Sequence, residues 1–475
     1  MSQGKEVPVL SGIPQGFERR VGPDSEVCLL DAVEVLTAHL TPSLCRVVFE
    51  RVRKTERERK WTFEAIARFW TAMIVVSPPS LRHGIAESRK QVGEDLWPRV
   101  MAEPQAFFQK CAGLRADFFE ALFIDFTSSL RPAALPTYAS WLGDLRRHFS
   151  SVQVIDGSRI EEVCLRLKIL RPVNGAVLSG CVTVLYDLFS GTIRQARYYG
   201  HAYVSEKARA PEMLDEVGAG SLILGDRMYC MLKAFHQLNE LKAFGLFRLR
   251  AQLEVKNLEV FEHSKIGRKS LEDALVEVGQ GINQPKERLR LIRYRDGKYR
   301  LELLTNVLDP EKLPAETAIR LYGMRWSIER MFLDLKKTLK LHCLYAAHPN
   351  LVAQQFYAAA MVYNAMRVAQ GKIAQAKKLL PEQVSPGKLF PLMAQAIKDY
   401  ALANWQQIRI RELNPGMPVV FPELREMPTA NTNLRVILAQ RRSSKRKPPA
   451  KKPRYSKSFA HIRGGSALLA TVSDR

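Results

Sequence analysis

The chain has 475 residues, 46% hydrophobic and 25% charged, a balance that excludes wholesale disorder and a length that asks for about three cores. Its 72 Lys and Arg against 48 Asp and Glu leave a formal charge of +24. That excess points to a polyanion, most commonly nucleic acid, because each cation on a phosphate releases condensed counterions; a generically basic protein or a membrane-surface binder is the competing reading. The seven cysteines are scattered with no Cys-x-x-Cys pair, so neither a disulfide framework nor a zinc knuckle is indicated. The first residues do not pair a basic segment with an apolar one, and no uncharged apolar run approaches the ~20 residues a bilayer needs, so a cytoplasmic protein without membrane contact is expected.

Residues 1–150 read as mostly helical. Phe63, Ile66, Ala67, Phe69, Trp70 and Met73 recur at helical spacing behind Thr62, a residue suited to cap a helix, and Pro78 and Pro79 end the run. A second short helix over 80–89 would complete either a helix-turn-helix carrying Arg82, Arg89 and Lys90 or an ordinary helical hairpin.

From about residue 150 the pattern turns to short β-rich runs. The first, 152–155, ends on Asp156 and Gly157. Runs at 181–188 and 192–199 flank Phe189, Ser190 and Gly191, a hairpin signal. A helix-compatible stretch over 206–217 leads to a run at 221–224 that ends on Gly225 and Asp226; a helical stretch over 230–242 and a strand-like run over 244–249 follow. Three strands, helix, strand, helix, strand is the order of an RNase H-like α/β core. The expectation is a multidomain chain with a mixed five-stranded sheet over 151–345, carboxylates ending its first and fourth strands.

Residues 253–313 interrupt that core with charged, alternating runs at 289–295 and 299–304, read as a β-rich insertion. One long helix is expected over 315–341, and residues 350–412 look helical and alanine-rich, within a C-terminal region of 346–430 that could serve dimerisation or simply be core. In the final region, 431–475, residues 441–457 hold nine basic residues and no acidic one; such a stretch cannot bury itself and is expected to lack fixed structure.

Phosphodiester transfer needs an attacking oxygen activated and a leaving oxygen stabilised, work that two Mg²⁺ ions about 4 Å apart perform together. Such ions take hard oxygen ligands. Asp156 and Asp226 suit the task, each on a rigid strand end beside a glycine that leaves room for a phosphate backbone. A single Asp at a strand end is more often a turn former, so the pair acquires meaning from a third carboxylate. Tyr322, Arg325, Glu329 and Lys336 are spaced 3, 4 and 7 apart, a polar stripe on an ideal helix. Beside it Leu321, Ile328, Phe332, Leu335 and Leu339 form an apolar face that would hold Glu329 over the aspartates. The competing reading is a solvated face with ordinary ion pairs such as Arg325 with Glu329.

These words together resemble bacterial DDE transposases of the insertion sequence 4 family. Tyr322-x2-Arg325-x3-Glu329-x6-Lys336 is similar to that family's Tyr-Arg-Glu-Lys signature; residues 154–158 and 224–227 resemble its two aspartate strands, and residues 303–306 and 325–329 its approach to the glutamate. The resemblance implies catalytic and metal-binding roles for Asp156, Asp226 and Glu329, two Mg²⁺ ions for which Mn²⁺ can substitute, and DNA contacts from Tyr322, Arg325, Lys336 and, more weakly, Arg227. It further implies cut-and-paste transposition by a homodimer acting on terminal inverted repeats and target DNA, with the N-terminal region reading the ends, in a bacterial, nucleoid-associated setting. In characterised members the freed 3′-OH attacks the opposite strand and flanking DNA leaves through a hairpin. Some members steady a flipped base with a tryptophan of the insertion, yet residues 253–313 contain no Trp; Phe261, Tyr294 and Tyr299 are the conceivable substitutes. A DNA-binding protein that has lost its nuclease, or a nuclease without strand transfer, would share much of this pattern.

Overall fold

The structure, a computed structural model, describes residues 26–89, 97–130, 140–160, 180–200, 204–279, 286–341, 344–346, 348–413 and 431–438. Lys90 and the basic stretch 441–457 lie outside the described residues.

The five strands expected from the sequence are β2 (Ser151–Arg159), β3 (Cys181–Asp187), β4 (Thr192–Tyr199), β5 (Ser221–Gly225) and β6 (Phe244–Arg248), β1 being the short Glu26–Cys28. They lie in the order β4-β3-β2-β5-β6. The first three are antiparallel neighbours, while β5 runs parallel to β2 and β6 parallel to β5. Parallel neighbours need crossover helices, and α8 (Glu206–Leu214) and α9 (Leu232–Glu240) supply them. Both pack on one face of the sheet, where Met213, Leu214, Phe235 and Leu238 meet Ile155, Ile223 and Phe247.

The sheet does not stop at five strands. The insertion folds as a meander of β7 (Val255–Ile266), β8 (Lys269–Val278), β9 (Glu287–Asp296) and β10 (Tyr299–Thr305), and β10 pairs antiparallel with β6. One continuous sheet of nine strands results, which corrects the expected five-stranded sheet. The reason is that β6 would otherwise present a row of unpaired backbone groups, which the returning strand β10 satisfies.

The opposite face, lined by Val152, Val154, Leu222, Leu224 and Leu246, is covered by helices from both ends of the chain. The N-terminal set comprises α1 (Asp31–His39), α2 (Pro42–Val52), α3 (Phe63–Val76), α4 (Leu81–Arg89), α5 (Pro104–Gly113), α6 (Ala116–Leu130) and the short α7 (Ser140–Asp144). The Thr62 side chain caps α3 by accepting from Ala65 N at 3.1 Å. Helices α3 and α4 follow one another across Pro78 and Pro79; Arg82 is exposed, while Arg89 is held by Glu103 at 2.8 Å.

After the sheet come α10 (Ala315–Gly323), α11 (Trp326–Leu333), α12 (Pro349–Ala376) and α13 (Pro386–Leu413). Alanine-rich α12 is buried on nearly every side, as a helix apolar all round must be. Its few polar side chains do specific work. Asn364 Oδ1 accepts from Ile193 N and Asn364 Nδ2 donates to Ile193 O, both at 2.8 Å, while Tyr357 Oη accepts from Tyr198 N at 3.1 Å. Helix α12 thereby satisfies backbone groups that edge strand β4 would leave open. No single described helix is long and apolar enough to cross a membrane.

The single helix expected over 315–341 is broken twice, a second correction. Around Gly323 the chain tightens: Met324 N donates to Leu321 O and Arg325 N to Tyr322 O, at 2.9 and 3.0 Å, three-residue bonds that close α10 before α11 begins. Residues Asp334–Thr338 then form a π-helical turn, closed by Leu339 N to Asp334 O at 3.0 Å. Ideal helical spacing therefore does not describe the whole stripe from Tyr322 to Lys336.

Candidate active site

Parallel pairing of β2 with β5 matches Val152 with Leu222 and Val154 with Leu224. Strand alternation points Asp156 to the face of Val154, and Asp226 follows directly after the end of β5, close enough to Tyr322 to act on its hydroxyl. Strand β2 does not end at Asp156 as its sequence suggested; it continues to Arg159 against β3, and only its pairing with β5 stops at Val154. Asp156 Oδ1 accepts from Gly157 N at 2.9 Å and Asp226 Oδ1 from Met228 N at 2.7 Å.

Gly225 plays a different part from the one expected. A Cβ there would come within 3.0 Å of Phe247 and Tyr229 and 3.1 Å of Ile155. Its smallness admits side chains on the α8–α9 face, away from Asp226, rather than clearing space for a phosphate.

Helix α11 approaches β2 with Ile328, Met331 and Phe332 buried, leaving Glu329 half-buried above the sheet. Arg325 joins two of the three carboxylates: Nη2 lies 3.0 Å from Glu329 Oε1 and Nη1 3.9 Å from Asp156 Oδ2. The i to i+4 pair once set against a functional reading is thus present, but the same guanidinium also reaches Asp156 on a strand far away in sequence. Tyr322 is buried, 8% exposed. Its hydroxyl is held above the usual tyrosine range by burial and by the negative charge of Asp226, against the opposing pull of Arg325 and Arg248. Lys336, on the π-helical turn, donates to Ser158 Oγ at 2.9 Å, two residues past Asp156. Arg227 is exposed in the turn after β5. Five expected residues (Asp156, Asp226, Tyr322, Arg325 and Glu329) thus share one face, Lys336 is held at its margin, and Arg227 stands outside.

Sequence reasoning missed three neighbours. Register with β5 carries Arg248 alongside Asp226, since Leu222 pairs with Phe244 and Leu224 with Leu246; the signal was a charged residue closing the third parallel strand. Ser158 was seen only as part of a motif. Tyr299, 55% exposed, stands edge-on to Tyr294 with ring centroids 6.3 Å apart and acts electrostatically on Tyr322. Among the aromatics of the insertion, Tyr294 and Tyr299 therefore border the carboxylate face, whereas Phe261 lies on β7, three strands beyond β10, roughly 15 Å further out.

Among the described residues no group of three His, Cys, Asp or Glu side chains stands gathered as a metal cluster. The donor chemistry nevertheless suits a hard divalent cation: Asp156 and Glu329 are brought to one guanidinium, that of Arg325, and Asp226 acts on Tyr322, three residues before Arg325.

Residues 179–365 match a family model described as Transposase DDE domain. This chain carries a DDE transposase domain. The matched interval of the DDE domain contains Asp226, Tyr322, Arg325, Glu329 and Lys336; Asp156 precedes it and is joined to it by β2 pairing with β3 and β5. Three curated relatives agree. The chain is 30% identical to a putative transposase of Sinorhizobium fredii, y4zB, over 32% of this chain and 44% of that protein. It is 26% identical to the Escherichia coli transposase InsG for insertion sequence element IS4, over 40% and 44% respectively. A probable transposase for insertion sequence element IS5377 of Geobacillus stearothermophilus is 23% identical over 31% and 39%. Each match spans less than half of the relative's own length.

Proposed function

We propose that this protein is a DNA transposase of the insertion sequence 4 type, cleaving element ends and joining them to target DNA. The observation that carries this reading is Arg325, which ties Asp156 of β2 to Glu329 of α11, while Asp226 follows the end of β5, the strand paired with β2. The strand order β4-β3-β2-β5-β6 supports an RNase H-like core at the centre of the nine-stranded sheet.

Asp156, Asp226 and Glu329 are the residues that would hold two Mg²⁺ ions, or Mn²⁺ in their place. When bound, such ions supply activation of the attacking oxygen and charge stabilisation of the leaving one. The remaining work falls to the chain's own groups. Arg325 keeps Glu329 and Asp156 oriented and offers its guanidinium to a phosphate; Lys336, steadied by Ser158, offers a second cation. Tyr322, its hydroxyl kept protonated by burial, donates a hydrogen bond, and Arg248 places a third positive charge next to Asp226. Tyr299 is the aromatic placed to stack on an unpaired base. In this reading the helical region before residue 150 reads terminal inverted repeats, helices after 346 contribute to a dimer, and the +24 charge favours residence on DNA.

The test uses full-length protein, Mg²⁺ and a plasmid bearing the DNA that flanks the gene. Asp156→Ala, Asp226→Ala and Glu329→Ala are each expected to abolish scission while retaining DNA binding. Near-normal cutting by any of them removes that carboxylate from the mechanism. Binding without scission by the parent protein favours a DNA-binding protein that has lost its nuclease, and scission without joined products a simple nuclease.

A further inference from the structure

The two hairpin tips of the β extension come together. Gly297 N, in the turn between β9 and β10, donates to Arg268 O, in the turn between β7 and β8, at 3.2 Å. Residues 265–269 and 295–300 carry Lys265, Arg268, Lys269, Arg295, Lys298 and Arg300 against one acid, Asp296. Five of the six cations are exposed and Lys269 is half-buried, and among the described residues none of the six is in an ion pair. Lower on β9 the situation differs: Arg293 is paired with Glu272 and Glu302. The tips thus concentrate uncompensated positive charge on one rigid ridge.

Strand pairing fixes where that ridge stands. Leu303 of β10 is level with Arg248 of β6, which is level with Asp226. Because β10 runs antiparallel to β6, the five residues from Leu303 back to Lys298 rise past the carboxylate end of the sheet by about 17 Å. With two interstrand spacings added sideways, the β9–β10 tip, the near end of the ridge, lies roughly 20 Å from Asp226, and Tyr299 on the sheet's carboxylate face lies along the way.

We infer that the clasped tips of β7–β8 and β9–β10 form a phosphate-gripping ridge for duplex DNA, engaging its backbone about six base pairs from the bond being cut. That interval follows from ~20 Å divided by the ~3.4 Å rise of a base pair. The inference rests on the transposase reading for the position of the cut, while the charge and placement of the ridge stand without it. A duplex fits better than an acidic protein because the cations sit in two short turns clasped side by side, a spacing suited to the regular phosphates of one groove wall.

The experiment compares the parent protein with a variant carrying Lys265→Ser, Arg268→Ser, Lys298→Ser and Arg300→Ser. Its control carries the same change at Lys233, Lys242, Lys256 and Arg288, exposed cations in and beside α9 and at the opposite ends of β7 and β9 from the tips. Binding to a flank-derived duplex of roughly four turns is measured against salt without metal. The ridge variant is expected to lower the slope of log affinity against log salt by about 2 or more, since each phosphate contact contributes about 0.9, with the control unchanged. Hydroxyl-radical protection is expected to vanish about six base pairs from the cut and persist elsewhere.

An unchanged slope at an unchanged melting temperature overturns the inference. So does a variant that loses binding to polyglutamate but not to duplex, which would make the ridge a protein contact. If the fourfold variant melts lower, Lys298→Glu alone, in an exposed turn, must still reduce the slope. Failure here with the three carboxylate variants inactive refutes the ridge and spares the transposase reading; a reduced slope with those variants still cutting does the reverse.

Discussion

Arg290 and Asp273 offer the sharpest test of how the sheet supports the site. The pair is bidentate, with Nε to Oδ1 at 2.7 Å and Nη2 to Oδ2 at 2.5 Å, and the two side chains are 0% and 3% exposed. Arg290 Nη1 also donates to Leu313 O at 2.7 Å, so the pair anchors the approach to α10 and hence to Tyr322. Arg290→Met strands a buried carboxylate, which costs about 3–5 kcal/mol, and deprives the Leu313 carbonyl of a donor, about 1 kcal/mol more. A loss of that size lowers the melting temperature by roughly 10 °C in a protein of this size class. Asp273→Leu combined with Arg290→Met removes both charges at similar volume, and most of the loss should return, leaving about 1–2 kcal/mol for the carbonyl. The assay is urea unfolding of the parent, both single variants and the double. Equal destabilisation by Arg290→Met and by the double variant would refute the reasoning, because the cost would then lie in packing rather than in an unpaired charge.

Three further outcomes are expected. Gly225→Ala should cost about 1–3 kcal/mol by overpacking against Phe247, Tyr229 and Ile155, with DNA binding unchanged because the methyl group points away from Asp226; thermal melts and a binding titration check both halves. Asn364→Leu should leave the Ile193 backbone unpaired at a cost of roughly 2–5 kcal/mol, seen as faster hydrogen exchange at Ile193 than in the middle of β5. Asp334 has its pKa pushed up to about 6 by burial, against the pull of Arg367 and Arg330. The folded chain holds that proton between pH 4 and 6 after the unfolded chain has lost it, so this contribution to stability is complete below pH 4 and is lost as pH rises through 6. Asp334→Asn should flatten that part of the stability profile by roughly 2 kcal/mol; an unchanged profile would contradict the assignment.

Much of this protein is written locally. Alternating runs such as 192–199, the Thr62 cap and the apolar positions Ile328, Phe332 and Leu335 are all short-range signals, and each recurs in the structure as the element or buried position expected. These are patterns with a period of two or three to four residues, which burial of one face imposes wherever the chain folds. The spacing of Tyr322, Arg325, Glu329 and Lys336 likewise marked a polar stripe, of which Arg325 and Glu329 form an ion pair that also reaches Asp156. What the sequence could not supply was partnership between distant segments. Whether β10 would close a separate domain or add itself to β6 depended on which backbone edge was left open, a property of the assembled sheet. The breaks at Gly323 and at Asp334–Thr338, the true office of Gly225, and the arrival of Arg248 beside Asp226 all follow from registers and contacts among residues far apart in the chain. Hydrogen-bond pairing and packing are satisfied globally, so those decisions belong to the tertiary structure alone.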